Sequence, residues 1–278
     1  MWAYHPHAND RTFVRNEVRE VDLGLTGRAA IVTGASRGLG KVIARELAAE
    51  GVRVMLCARG KEELEAAAAE LRAATRADVQ ACPADVAKRE DVARLVAATV
   101  AEFGSADILV NNAASFRSGP LLELEDDDWI GAFNIKALGG IRCAREVIPH
   151  MRANQWGRII NMAGGAARQV DVGRLMGPVN AAIVNFTKKL SDEVGQSGIT
   201  VNVIYPGGGV SQTQRRAHQQ GGDPAQVQAD LASRRSISRP IAPEETAWAV
   251  CFLASDRAAA ITGAALPVDG GAARGIFY

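Results

Sequence analysis

The chain has 278 residues, of which 47% are hydrophobic and 23% charged, and its 32 basic and 31 acidic side chains leave a formal net charge of +1. This composition is that of an ordinary globular protein. A chain so close to neutral has no general attraction for nucleic acids or anionic membranes. We therefore expect neither nucleic acid nor a membrane among its partners.

The N-terminal residues and the cysteines indicate the cellular compartment of the protein. Residues 1–24 form a mostly polar extension without the apolar run of a secretory signal, and no stretch approaches the ~20 apolar residues that span a bilayer. Four scattered cysteines without a CxxC pair indicate reduced thiols. His5 and His7 have no acidic or sulfur partner, so we expect no metal site. These features favour a cytoplasmic protein.

Short apolar runs alternate with longer amphipathic runs from Arg28 onward, which is typical of βαβ units. The predicted strands are Ala29–Thr33, Val52–Cys57, Val79–Cys82, Ile108–Val110, Arg158–Asn161, Ile199–Ile204 and Ala265–Val268. The predicted helices are Leu39–Glu50, Glu62–Ala74, Asp91–Phe103, Trp129–Met151, Val179–Val194 and Glu244–Ala254. This alternation predicts one α/β domain over residues 25–278, a Rossmann-type doubly wound parallel sheet of about seven strands in three layers. The polar segment 211–240 is either a lid of short helices or a solvated excursion.

A glycine-rich turn joins the first predicted strand to the first helix, with the sequence Thr33-Gly34-Ala35-Ser36-Arg37-Gly38-Leu39-Gly40. Gly34 permits a tight turn, Gly38 lets the backbone approach a pyrophosphate, and Gly40 lets helix and strand pack closely. The free N–H groups and the positive dipole end of the helix favour phosphate binding. A strand–helix junction is the context that a dinucleotide-binding motif requires. The turn therefore predicts a cofactor site that includes Ser36 and Leu39.

The end of the second predicted strand bears on the choice of cofactor. An NAD-selective site usually places a carboxylate here for the ribose 2′-hydroxyl, and the sequence has none. Arg37 and Arg59 instead offer two guanidinium groups for a 2′-phosphate. We therefore expect NADP(H) in preference to NAD(H).

The order of motifs over residues 24–271 resembles the short-chain dehydrogenase/reductase family. The matching motifs are the TGxxxGxG turn, Asp85-Val86, Asn111-Asn112-Ala113, Pro206-Gly207, and the ending Ile261-Thr262-Gly263 … Val268-Asp269-Gly270-Gly271. The resemblance implies that Asp85 and Val86 hold the adenine and that Asn112 lines the cofactor channel. It also implies cofactor contacts from Pro206 and Gly207, and from Ser211 or Thr213 near the nicotinamide. A homo-oligomer, tetramer or dimer, is the expected assembly.

The resemblance breaks down at the catalytic residues. The family shares its chemistry among a serine, a tyrosine, a lysine and an asparagine, of which only the last is matched, by Asn134. Aligning the later helix on Phe186-Thr187-Lys188-Lys189-Leu190 puts Gly164, Met176 and Asn180 in the serine, tyrosine and lysine positions. Methionine cannot donate a proton, and an amide cannot lower a neighbour's pKa by its charge. The resemblance thus implies an atypical member.

The proton source and the reaction stay open at this point. Candidate substitutes are Arg117, Arg168, Asp171, Arg174 and Tyr205, each of which is also explained as an ordinary loop or packed residue. The leading hypothesis is an NADP(H)-dependent oxidoreductase with a non-standard proton path, acting on a small carbonyl, alcohol or conjugated C=C compound. The alternatives are a non-redox dehydratase, isomerase or cyclase on the same scaffold, and a catalytically silent nucleotide-binding subunit.

Overall fold

The computed structural model of the chain describes residues 22–114, 117, 119–168, 175–207 and 223–273. The strands are β1 Ala29–Thr33, β2 Arg53–Ala58, β3 Val79–Pro83, β4 Ile108–Asn111, β5 Gly157–Met162, β6 Ile199–Pro206 and β7 Ala265–Val268. The helices are α1 Gly38–Ala49, α2 Lys61–Thr75, α3 Arg89–Phe103, α4 Asp126–Ala132, α5 Gly139–Ala153, α6 Met176–Val194, α7 Pro224–Ser233 and α8 Pro243–Ala254. A π-helical segment, Phe133–Leu138, joins α4 to α5.

The strands form one seven-stranded parallel sheet in the order β3-β2-β1-β4-β5-β6-β7. The strand order reverses between β1 and β4, and such a switch point leaves a crevice at the carboxyl ends of the strands. The predicted doubly wound sheet of about seven strands is confirmed.

Both faces of the sheet are covered, because alternate strand residues belong to two different apolar clusters. Ala30 and Val32 of β1 pack with residues of α1, α2 and α8, whereas Ala29 and Ile31 pack with residues of α3, α5 and α6. These clusters give the three predicted layers. Among the described residues, no helix is both long enough and apolar enough to cross a membrane.

The structure divides the predicted helix Trp129–Met151 and starts it earlier. The helical region begins at Asp126, where Glu125 and Asp128 form a capping box, and acidic side chains in the first turn suit the positive end of the helix dipole. The backbone then widens into the π-helical segment before α5. Part of segment 211–240 contains α7, which Asp223 caps; residues 211–222 and most of the extension 1–24 lie outside the described residues.

The start of α1 sits directly on the end of β1. Gly34 and Gly38 have φ values of +67° and +58°, which favour glycine. A Cβ atom on Gly40 would lie 2.3 Å from the Gly34 carbonyl oxygen and 2.5 Å from the side-chain nitrogen of Asn112. The close packing expected of Gly40 is therefore present.

We expect Gly40→Ala to destabilise the protein by about 1–3 kcal/mol, because the added methyl must push α1 away from backbone that cannot yield. Gly131→Ala is the matched control: a Cβ there meets nothing within 4 Å, and alanine in a helix is favoured over glycine by up to about 1 kcal/mol. Urea unfolding of both variants and of the parent chain gives their free energies of unfolding. Equal stability of Gly40→Ala and the parent chain would contradict this description of the junction.

Candidate active site

The first turn of α1 lies at the crevice between β1 and β4, where the N-terminal N–H groups of a helix have no partner within the helix itself. Arg37, the N-cap residue, makes no side-chain capping hydrogen bond, and the first turn contains no acidic residue. Ser36 is half-buried, and Gly38 is exposed. The free N–H groups and the positive dipole end therefore fit an anionic phosphate.

Thr33 and Asn112 hold this turn in place. The Thr33 hydroxyl accepts hydrogen bonds from the main-chain N–H groups of Asn112 at 3.0 Å and Ala113 at 3.1 Å. The Asn112 side chain donates in return to the carbonyl oxygens of Thr33 at 3.0 Å and Gly34 at 3.2 Å. Asn112 thus ties the end of β4 to the phosphate turn.

Of the residues predicted at the adenine and ribose end, Arg59, Asp85 and Val86 follow β2 and β3, whose ends pair at Ala58 and Pro83, and Arg37 directly precedes α1. Arg59 and Arg37 are both exposed. An Arg37 nitrogen lies 3.8 Å from a carboxylate oxygen of Glu63, and both side chains are more than 60% exposed, so this surface pair is weak. The guanidinium of Arg37 is therefore not committed to a strong partner by this contact.

Asp85 and Val86 occupy the loop after β3. The Asp85 carboxylate accepts a hydrogen bond from the Ala87 N–H at 3.0 Å. Val86 is buried, and its carbonyl oxygen accepts a hydrogen bond from Arg142. The structure thus places this loop beside the ends of β2 and β3, with Asp85 turned toward its own backbone.

Asn134 lies in the π-helical segment and contacts Arg142 of α5. Its side-chain oxygen accepts a hydrogen bond from Arg142 at 2.8 Å, and its main-chain carbonyl oxygen accepts another at 3.1 Å. Because Arg142 also contacts the Val86 carbonyl, the segment is tied to the loop after β3.

The structure brings together the three positions that the resemblance assigns to serine, tyrosine and lysine. Met176 begins α6 and is buried in an apolar cluster that includes Tyr205. Asn180 is one turn later and is also buried. A Cβ atom on Gly164 would lie 2.9 Å from the side-chain nitrogen of Asn180. Neither glycine nor methionine offers a group that titrates here.

Lys136 is the site residue that sequence reasoning missed. Its amine donates a hydrogen bond to the side-chain oxygen of Asn180 at 2.7 Å. Lys136 keeps some exposed surface, yet burial lowers the pKa of its amine to about 8. No carboxylate in the described ranges forms an ion pair with it. Within a predicted continuous helix, nothing in the sequence indicated that this lysine faces inward.

A small cavity separates the π-helical segment and α5 from α6 and the ends of β4 and β5. Its lining residues are Asn111, Lys136, Ala137, Gly140, Asn161, Met162, Ile183 and Phe186. The Asn111 side chain donates to Asn161 at 2.9 Å, which donates to Thr187 at 2.9 Å. This chain fixes the Asn111 amide with its oxygen buried and without a hydrogen-bond partner in the described part of the protein. The cavity is therefore lined by Lys136 and by Asn111, whose side-chain oxygen has no hydrogen-bond partner among the described residues.

The other proton-donor candidates fare differently. Tyr205 is buried at the end of β6; burial raises its pKa, while the Arg168 guanidinium, 5.6 Å from the ring centroid, opposes that rise. Arg117 is exposed and lies 3.5 Å from Asp128. Asp171 and Arg174 fall outside the described residues, as do Ser211 and Thr213, which the resemblance placed near the nicotinamide.

Pro206 ends β6 at the same edge of the sheet, and Gly207 directly follows it. The Gly207 N–H donates to the Val268 carbonyl at 2.6 Å. A Cβ atom on Gly207 would lie 2.4 Å from Ile241.

In the ranges that the structure describes, no cluster of three or more histidine, cysteine or acidic side chains could hold a metal ion.

Known proteins resemble this chain over most of its length. The family model described as "Enoyl-(Acyl carrier protein) reductase" matches residues 34–273. The short-chain reductase protein NovJ of Streptomyces niveus is 38% identical over 244 residues, 87% of this chain and 92% of the relative. L-sorbose reductase from Gluconobacter frateurii, crystallised with NADPH and L-sorbose, is 33% identical with a TM-score of 0.85, covering 92% of this chain and 100% of that chain. Actinorhodin polyketide ketoreductase, crystallised with NADPH, is 35% identical with a TM-score of 0.81, covering 89% and 98%.

We expect Thr33→Val to destabilise the chain by about 1–3 kcal/mol, because the N–H groups of Asn112 and Ala113 lose their acceptor. Thr99→Val is the matched control, since the Thr99 hydroxyl is equally buried and only donates to the Leu95 carbonyl one turn earlier in its own helix. Urea unfolding compares the two. If the free energy of unfolding falls as much in Thr99→Val as in Thr33→Val, the two hydrogen bonds that Thr33 accepts have no special importance.

Proposed function

The chain belongs to the short-chain dehydrogenase/reductase family, and we propose that it is an NADP(H)-dependent oxidoreductase with a non-standard proton path. The observation that carries the proposal is the uncapped, acid-free start of α1 on the glycine turn at the switch point of the sheet. Two similar structures, 33% and 35% identical to this chain, were crystallised with NADPH, which supports the same cofactor here. When bound, that cofactor supplies a hydride to a small carbonyl or conjugated C=C compound, or accepts one from an alcohol.

The proposed cofactor contacts come from five segments, at the ends of β1, β2, β3, β4 and β6 at the carboxyl edge of the sheet. The pyrophosphate would bind the start of α1, Arg37 and Arg59 would bind the 2′-phosphate, and the loop after β3 would hold the adenine. The complete proposed set is Gly34, Ser36, Arg37, Gly38, Leu39, Gly40, Arg59, Asp85, Val86, Asn112, Pro206 and Gly207. At Gly40 and Gly207 neighbouring protein atoms leave no room for a Cβ, which explains why glycine occupies these two positions.

The proposed reactive end lacks the family's acid. Gly164, Met176 and Asn180 stand where the resemblance places serine, tyrosine and lysine, so the substrate oxygen must obtain its proton elsewhere. Asn134 remains the proposed fourth member of the set. General acid–base catalysis typically contributes ~10²–10⁴-fold in rate, while positioning contributes separately. Reduction of a substrate is thus compatible with these substitutions.

We further propose a cytoplasmic homo-oligomer, a tetramer or dimer. Several large apolar side chains are exposed, and such surfaces favour association. They are Leu121, Leu122, Ile130, Leu138, Ile237, Trp248 and Phe252.

NADPH is expected to bind at least tenfold more tightly than NADH, roughly the ~1.4 kcal/mol of one charge-assisted contact. Arg59→Asp should reverse this preference, because a carboxylate repels the 2′-phosphate and accepts a hydrogen bond from the 2′-hydroxyl. Arg152→Asp is the control: it makes the same charge change near the end of α5, which precedes β5 and so lies at the opposite edge of the sheet. Fluorescence titration measures the affinities of Arg59→Asp and of Arg152→Asp for NADPH and for NADH. Equal binding of the two cofactors by the unaltered chain would refute the assignment of Arg37 and Arg59.

Deuterium from NADPH labelled at C4 is expected to appear in the product when the chain is screened with carbonyl compounds and enones. Met176→Leu should change the rate of that transfer less than about tenfold, because a volume-conserving swap removes nothing that titrates. Product formed without loss of label from the cofactor would identify the non-redox alternative. A thousandfold loss in a folded Met176→Leu variant would show that Met176 has a chemical or positioning role.

A further inference from the structure

The Lys136 amine has no role in the cofactor contacts proposed above. Lys136 is one of the residues that line the cavity near the ends of β4 and β5, the edge at which ligands bind in such sheets. Its one identified hydrogen bond runs to Asn180, from the π-helical segment to α6. Two further N–H groups of an ammonium remain for other acceptors. Asn111 lines the same cavity, and its buried side-chain oxygen has no hydrogen-bond partner within the described part of the chain.

A structural role explains this arrangement poorly. Enclosing an amine without a counter-ion costs free energy, and methionine would fill similar space without that cost. Among the described residues, the polar side chains that contact the amine or line the cavity with Lys136 are the uncharged amides of Asn180, Asn111 and Asn161. With a pKa lowered to about 8, the amine exchanges a proton near neutral pH. Perturbed groups of this kind, set in a cleft, are typical of functional sites.

The backbone around Lys136 supports the same conclusion. Lys136 lies inside the π-helical segment Phe133–Leu138, which contacts α6. Single π-helical turns within α-helices occur frequently at functional sites, because the extra residue redirects side chains. Here the turn coincides with the lysine that reaches Asn180.

We propose that Lys136 is the acid–base catalyst of this site and that Asn180 holds its amine toward the substrate. The proposal rests on the oxidoreductase function proposed above. In this proposal Lys136, on the π-helical segment, takes over from the lysine that the family carries at position 180 on α6. The Asn180 amide at that position bonds to the Lys136 amine.

The proton balance of a carbonyl reduction follows directly. As the carbonyl carbon gains a hydride from the reduced nicotinamide, its oxygen becomes an alkoxide, and the Lys136 ammonium breaks one N–H bond to protonate that oxygen. The neutral amine then takes a proton from water. Each turnover thus consumes one hydride and one proton and leaves the lysine unchanged.

Other ionisable groups on the surrounding elements leave this assignment intact. Arg142 on α5 is engaged by Asn134, and Arg168 lies over the ring of Tyr205 at the end of β6. β4, β5 and the part of α6 that lines the cavity contribute amide and apolar side chains. Within the described residues, burial is the identified cause of the lowered pKa of Lys136.

The first experiment measures the amine itself, in the full chain labelled with ¹³C at the lysine ε-carbons. One resonance is expected to titrate near pH 8 and to shift when NADPH is added. It should vanish in Lys136→Met and persist in Lys189→Met, whose exposed side chain pairs with Glu193. A Lys136 resonance that titrates above pH 10 and ignores NADPH would overturn the proposal, whatever the outcome with substrates.

The second experiment is single-turnover deuteride transfer against pH, with the substrate that the carbonyl screen identifies. The rate should fall above about pH 8 in the unaltered chain and drop by roughly 10²–10⁴-fold in Lys136→Met. Lys136→Arg keeps the charge but cannot release a proton, so it should not restore the rate. Deuteride transfer that proceeds normally in Lys136→Met or Lys136→Arg would sink the lysine's role and leave the oxidoreductase function standing.

Asn180→Asp provides a variant that keeps the amine and is expected to fold. A carboxylate beside the ammonium raises its pKa, so the fall in rate should move upward by about one pH unit or more. A purely structural contact would leave the pH at which the rate falls unchanged. An unshifted profile in Asn180→Asp would therefore count against the proposal.

Discussion

The hydrogen bonds between Thr33 and the chain after β4 hold the two sides of the switch point together. Because the Asn112 side chain returns two hydrogen bonds to the phosphate turn, the turn cannot move independently of β4. The glycine at position 40 then lets α1 rest on that turn without a gap. Every other group of the proposed site is placed relative to this junction: β2 and β3 on one side, β5, β6 and α6 on the other.

The charged groups at the two ends of the proposed cleft differ in their exposure to solvent. At the cofactor end, exposed guanidinium groups and the start of α1, which has no side-chain cap, face solvent. Salt and water there weaken their attraction for an anion. At the reactive end, as far as the described residues show, the Lys136 amine bonds to one amide, and two further amides line the same cavity. An amide oxygen accepts a hydrogen bond from either the ammonium or the neutral amine, whereas a carboxylate would hold the proton on. The choice of asparagine at position 180 therefore suits a lysine that must exchange its proton.

The sheet and its order of elements followed from alternating apolar patterns, because each buried strand is short and each helix has a continuous apolar stripe. The glycine turn was also readable, since its residue types are dictated by backbone conformation. The π-helical segment was not readable, because its residues have the same apolar spacing that an α-helix would show. Lys136 was missed for that reason: its direction depends on one widened turn, and its partner Asn180 is distant in sequence.

The enclosed lysine also has a thermodynamic consequence for the fold. Its pKa of about 8 in the folded chain lies below the ordinary value of 10.5, so between those pH values the unfolded chain binds more protons than the folded one. Stability therefore rises with pH across that window, and below pH 8 the folded chain bears the full cost of the buried ammonium. A shift of this size corresponds to roughly 3 kcal/mol, a substantial part of the stability of a typical domain. Met162, Ile183 and Phe186 line the same cavity as Lys136, so apolar side chains already pack at this place. A chain that nevertheless keeps an amine there gains no stability from it at neutral pH, and this is the physical reason to look for its role in chemistry.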